Sequence, residues 1–101
     1  MIKIWLDDER SAPRGYIPVN TVNNLKDLVQ DAEKCGVREF FFSLDNDLGK
    51  FAVDGGDGRK FILWLIETGR NTPNYQIECH SMNPVAREYI EEMYRRYWKG
   101  V

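Results

Sequence analysis

Three short polar clusters hold the residues of this chain best suited to chemistry: Asp7-Asp8, Asp45-Asn46-Asp47 and His80-Ser81-Met82-Asn83. Each follows directly on a segment that reads as a strand. Grouped carboxylates bind hard divalent cations through oxygen, which favours Mg2+, Mn2+ or Ca2+ over Zn2+. His80, the single histidine, has an intrinsic pKa suited to proton transfer near neutrality. Two carboxylates roughly 4 Å apart repel by about 4 kcal/mol at an effective dielectric of about 20. A small domain has only about 5–15 kcal/mol of total stability, so several acids brought together call for a cation. Taken singly, each acid could instead cap a helix or face water. An EF-hand is excluded, because Gly49 stands at the third ligand position after Asp45 and no glutamate follows at the required distance.

For the clusters to act together, the elements before them must be neighbouring parallel strands. In an open α/β sheet, ligands bind beyond the carboxyl ends of the strands, at a switch in strand order. The run Ile2 to Leu6 reads as a first strand, nearly continuous in apolar residues as a buried parallel strand is. A loop with Pro13 and Gly15 leads to a short strand near Tyr16 to Val19. That connection is shorter than a parallel crossover normally needs, which places this strand at an edge. Thr21 caps a helix to about Cys35, terminated by Gly36, with Val22, Leu25, Leu28, Val29 and Ala32 on one face.

A third strand, Glu39 to Leu44, precedes Asp45. The segment Asp54-Gly55-Gly56-Asp57-Gly58 is either a mobile flap or a flexible entry to a helix of about Arg59 to Thr68, with Asp57 as its N-cap. Tyr75 to Cys79 is the last strand. Asn83 and Pro84 then open a helix to about Lys99, whose inward stripe reads Val85, Tyr89, Ile90, Met93, Tyr97 and Trp98. Alternating strands and helices define an α/β layer fold.

The 101 residues suit one domain, residues 1–101, with no linker to divide them. Fourteen basic against sixteen acidic side chains leave a formal charge of −2, which excludes an overall polybasic nucleic-acid binder. The longest apolar run, Phe61 to Ile66, is too short to span a bilayer. The N-terminus reads as a strand rather than a signal peptide, and Cys35 and Cys79 form no metal or redox motif. A reduced, cytoplasmic setting is the expectation.

Four motifs in order, Leu6-Asp7-Asp8-Glu9-Arg10, Ser43-Leu44-Asp45-Asn46-Asp47-Leu48-Gly49, Gly56-Asp57-Gly58 and His80-Ser81-Met82-Asn83-Pro84, resemble those of the cyclic-phosphate-processing receiver-like domains. These are a divergent branch of the response-regulator receiver fold. The resemblance implies a three-layer, flavodoxin-like Rossmannoid with a shortened, mostly parallel sheet of about four strands and about three helices. By position it implies Asp7, Asp8 and Asp45 as ligands of Mg2+ or Mn2+, with Asp45 the phosphoacceptor equivalent and Ser81 the hydroxyl residue after the last strand. The fifth receiver strand and its lysine are missing, the first helix has shrunk to a loop, and His80 and Asp47 are additions.

The expected activity is a metal-dependent phosphoesterase acting on a cyclic phosphate of a nucleotide, an RNA end or an ADP-ribose derivative. Asp45, His80 and Asp47 would be catalytic, while Arg10 and Arg87 would clamp phosphate and Ser81 and Asn83 would contact it beside a helix N-terminus. Asn83 also reads simply as a helix cap. The competing readings are a non-catalytic receiver-like signalling or binding module and a Toprim-like nuclease. The latter ranks last, because Glu9 is displaced from the strand end where that site needs its glutamate.

Overall fold

A computed structural model describes residues 1–100 of the chain. Four strands, β1 (Ile2–Leu6), β2 (Ile17–Val19), β3 (Phe40–Leu44) and β4 (Tyr75–Cys79), alternate with three helices, α1 (Val22–Lys34), α2 (Gly58–Glu67) and α3 (Pro84–Tyr97). The strands form one sheet in the order β2-β1-β3-β4, and every pairing is parallel. This is the receiver-like, flavodoxin-like α/β sheet. The strand order reverses at β1, so its carboxyl end and that of β3 flank a switch point.

The parallel pairing of β2 over so short a connection has a geometric reason. Ile17 lies opposite Ile4, and Val19 opposite Leu6. The returning loop therefore drops back only to the level of Ile4, a few ångströms along the strand, and needs no crossover helix.

Leu6, Leu44 and Cys79 share one row of the sheet, and Ile4, Phe42 and Ile77 another. These side chains form one buried cluster with Val22, Leu25 and Val29 of α1, Phe61, Ile62 and Leu65 of α2, and Ile90 of α3. The helices thus line a single face. On the opposite face stand Trp5, Phe41 and Ser43, with Tyr16 packed edge-on against both Trp5 and Phe41. The loop of residues 7–16 takes the place of a second helix layer.

Local chemistry sets most boundaries. Thr21 Oγ1 accepts the Asn24 N–H at the start of α1, and Asn83 Oδ1 accepts from Val85 and Ala86 at the start of α3. The Gly-rich segment before α2 is tied down, since Asn23 donates through its backbone and its side chain to Asp54. Asp57 does occupy the N-cap position, but its carboxylate makes no capping bond to α2 and accepts instead from Leu48 N. Asn46 does that work from across the chain, its Oδ1 accepting the Arg59 N–H. A short 3-10 helix, Gly49–Val53, precedes the segment.

The stripe expected on α3 needs correction. Val85 is 78% and Tyr97 45% exposed, and the inward line runs through Ala86 and Ile90. Trp98 is buried because the chain turns extended there, which lets its indole donate to Tyr75 O at 2.7 Å. No helix among the described residues is long and apolar enough to cross a membrane.

Candidate metal and phosphate site

The row of the sheet just beyond Leu6, Leu44 and Cys79 is Asp7, Asp45 and His80. The ladder continues through all three, with Asp7 N donating to Val19 O, Asp45 N to Leu6 O and His80 N to Leu44 O. Strand alternation turns these side chains to the face carrying Trp5, Ser43 and Glu78, two residues earlier on each strand. Ligand atoms of Asp7, Asp45 and His80 consequently lie within 4.8 Å of one another. Residues far apart in sequence meet because parallel register puts strand ends at one level.

Asp7 is the most tightly held. Its Oδ1 accepts the backbone N–H groups of Glu9 and Arg10, while its Oδ2 meets His80 Nε2 at 2.9 Å and Arg10 Nε at 3.2 Å. Burial alone would raise its pKa, but the Arg10 and Glu9 amides, His80 and the Arg10 charge together bring it below the usual aspartate value. Asp45 goes the other way. Burial, then the neighbouring Asp7 charge, raise its pKa against the opposing pull of the Asn46 amide, His80 and Arg10. Its Oδ1 accepts from Asn46 N. Its Oδ2 faces the Arg10 guanidinium at 3.9 Å, beyond hydrogen-bond reach.

His80 leans from the end of β4 across β3. Its Nδ1 lies 2.8 Å from Ser43 Oγ, and its ring stacks on Trp5 with centroids 3.7 Å apart and planes 4° from parallel. Ser43, fully buried, is small enough to let the imidazole pass over it. Its hydroxyl also contacts Glu78 Oε2 at 3.2 Å, and Glu78 is its register partner on β4.

Outside this row lies an open cleft of 580 Å³ lined by Asp8, Glu9, Arg10, Asp45, Asp47, Gly49, Met82 and Asn83. The expected residues Asp8, Arg10, Asp45, Asp47 and Asn83 therefore do converge there. Asp47 accepts from Asn46 Nδ2 and from Asn83 Nδ2, bridging β3 and the start of α3.

Asp8, though it faces the cleft, is not in the three-residue ligand group, which His80 completes. His80 is not among the cleft-lining residues. Ser81 is buried, its Oγ accepting the Asn83 N–H in the turn. Arg87 is exposed, pairs with Glu91 at 3.7 Å, and lines a separate groove beside Ile77 and Cys79. The sequence reading missed Ser43 and Glu78; the alternation of β3 and β4 could have put them on the face of His80, but nothing local marks them as its partners.

The donor set fits a divalent cation: two buried carboxylates, one with an oxygen that accepts no hydrogen bond among the described residues, and an imidazole nitrogen within reach of both. Gly58 keeps this arrangement in place. A Cβ on it would lie 1.9 Å from the Asp45 carbonyl oxygen, and its N–H donates to Asn46 O.

Comparison with known proteins adds one match. The family described as cyclic-phosphate processing receiver domain matches residues 2–96. No curated protein and no solved structure matches the chain.

Proposed function

The chain belongs to the cyclic-phosphate processing receiver domain family, and on that premise we propose that it is a metal-dependent phosphoesterase acting on a cyclic phosphate of a nucleotide, an RNA end or an ADP-ribose derivative. The observation that carries this reading is the charge of the cleft. Asp8, Glu9, Asp45 and Asp47 line it against one guanidinium, that of Arg10. So acidic a wall repels a phosphate unless a cation stands between them. Asp7 and Asp45 would hold that cation, Mg2+ or Mn2+, which when bound would polarise phosphoryl oxygens and lower the pKa of a water.

The protein groups around it have distinct tasks. Arg10 lies over both Asp7 and Asp45 and is exposed enough to turn its guanidinium to a phosphate oxygen. The Asn83 side-chain amide, held by Asp47, presents a further donor at the cleft. Asp47 is the exposed carboxylate positioned to accept the proton of an attacking water, so that water adds across one ester bond and a monoester results. The cleft volume is that of a small-molecule site.

Purified protein assayed with 2′,3′-cyclic nucleotides and ADP-ribose cyclic phosphate, with Mg2+ or Mn2+, should show metal-dependent conversion to monoesters, abolished in Asp45→Asn. Absence of turnover across a broad panel, with Asp45→Asn indistinguishable from wild type, overturns catalysis. A stable phosphoryl adduct on Asp45 after acetyl phosphate treatment, without turnover, would mark a signalling module instead.

A further inference from the structure

Behind Asp7, on the face away from the helices, Trp5, Ser43 and Glu78 form one row across β1, β3 and β4. Trp5 and Ser43 contact His80, and Glu78 contacts Ser43. Trp5 fixes the plane of the ring, Ser43 Oγ meets Nδ1, and Glu78 Oε2 meets the Ser43 hydroxyl. Counting protons limits what this chain can do. The hydroxyl has one proton. If it goes to the Glu78 carboxylate, the Ser43 oxygen is free to accept from Nδ1–H. Nε2 then points at the Asp7 and Asp45 carboxylates.

We infer that Glu78 and Ser43 are positioning residues that present His80 Nε2 as a third, nitrogen ligand beside Asp7 and Asp45, so that the site takes Mn2+ in preference to Mg2+. Metal-bound histidines almost always donate their other ring N–H to an oxygen that is itself anchored, which fixes the tautomer and raises ligand basicity. The Glu78–Ser43–His80 chain has that form. In the metal-bound form Nε2 would face the ion while Nδ1–H rests on the Ser43 oxygen. Mg2+ keeps oxygen ligands and its own waters, whereas a first-row transition ion accepts imidazole readily. His80 is thereby a ligand rather than the proton carrier suggested by its type alone, in keeping with its engaged ring nitrogens and its place outside the cleft lining.

This inference rests on reading the Asp7–Asp45 row as a metal site, and its test uses no substrate. Calorimetric titration of metal-free full-length protein with MnCl2 and with MgCl2 should give wild type at least about tenfold tighter for Mn2+, and Ser43→Ala and Glu78→Gln should lose roughly 10–100-fold in Mn2+ affinity with little change for Mg2+. Mn2+ should also broaden the ring signals of His80, which are unambiguous in a chain with one histidine. Glu78 is exposed, so Glu78→Gln keeps the test open if Ser43→Ala fails to fold. Equal affinities for the two ions in wild type, unchanged Mn2+ affinity in the folded variants, or equal losses for both ions overturn the inference. Absence of binding by either ion overturns the metal site itself.

Discussion

Asp7 and Asp45 stand in one row of the sheet, on adjacent strands, with their ionisation driven in opposite directions. Burial opposes the charge on both, but Asp7 collects two backbone amides, an imidazole and a guanidinium and falls below the usual aspartate value. Asp45, with fewer donors and with Asp7 as neighbour, rises above it. Holding Asp45 ionised at neutral pH therefore costs the metal-free fold stability. Asp45→Asn should raise the metal-free melting temperature by roughly 4–8 °C, the shift that about 1 kcal/mol produces in a domain of this size. The same variant should lose the stabilisation that Mn2+ gives wild type. Calorimetric melts with and without Mn2+ check both, and a lower metal-free Tm contradicts the first.

Gly58 positions the loop that carries Asp45. Gly58→Ala drives a Cβ into the Asp45 carbonyl and should destabilise by about 1–3 kcal/mol as an overpacked contact, with weakened Mn2+ binding because Asp45 moves. Gly69→Ala is the control. It places alanine at φ +73° in open space, costing about 1–2 kcal/mol of backbone strain, with Mn2+ affinity unchanged. Denaturant unfolding and metal titration of the two variants separate strain from displacement.

Away from the site, Glu33 takes a two-point pair from Arg70 and the Tyr75 hydroxyl at 2.6 Å. The Arg70 bonds lower the Glu33 pKa from 4.5, outweighing burial with help from Tyr75. Its stabilisation is thus complete above pH 4.5 and lost as pH falls through the depressed folded value. Tyr75 is pushed by burial, and then by Glu33, from 10.0 up to about 12. Its contribution is present below pH 10.0 and lost as pH rises toward 12. Glu33→Gln should flatten the acid limb of the stability profile and Tyr75→Phe the alkaline limb, measured by urea unfolding against pH.

Trp5 stacks on His80 and donates Nε1–H to Arg10 O at 3.2 Å. Trp5→Leu retains apolar bulk but loses both contacts. It should cost about 0.5–1.5 kcal/mol for the lost ring pair and broaden the His80 ring resonances through new mobility. Unchanged His80 line widths would show that the stack does not hold the imidazole.

Much of the frame was legible along the chain, because its causes are local. Apolar runs before Asp7 and Asp45 and an alternating run before His80 mark strands and their carboxyl ends, and Thr21 and Asn83 cap helices through amides two or three residues away. That β1, β3 and β4 each end in a polar cluster followed from pattern; that these ends share one edge required the strands to be parallel neighbours, as they are. Tertiary structure decided what each group there touches. Periodicity assigns a residue to a face but does not say which strand lies beside it, so Ser43 came to meet both Glu78 and His80 only through parallel register. The charge of Arg10 predicts an exposed clamp for phosphate, and only the fold shows that its half-exposed guanidinium pairs with Asp7 and lies 3.9 Å from Asp45. Arg87, alike in type, lies by another groove, with Ile77, Cys79 and Ile90, and pairs with Glu91. Chemistry along the backbone chose the kinds of residue; the alignment of strands distant in sequence chose which of them meet.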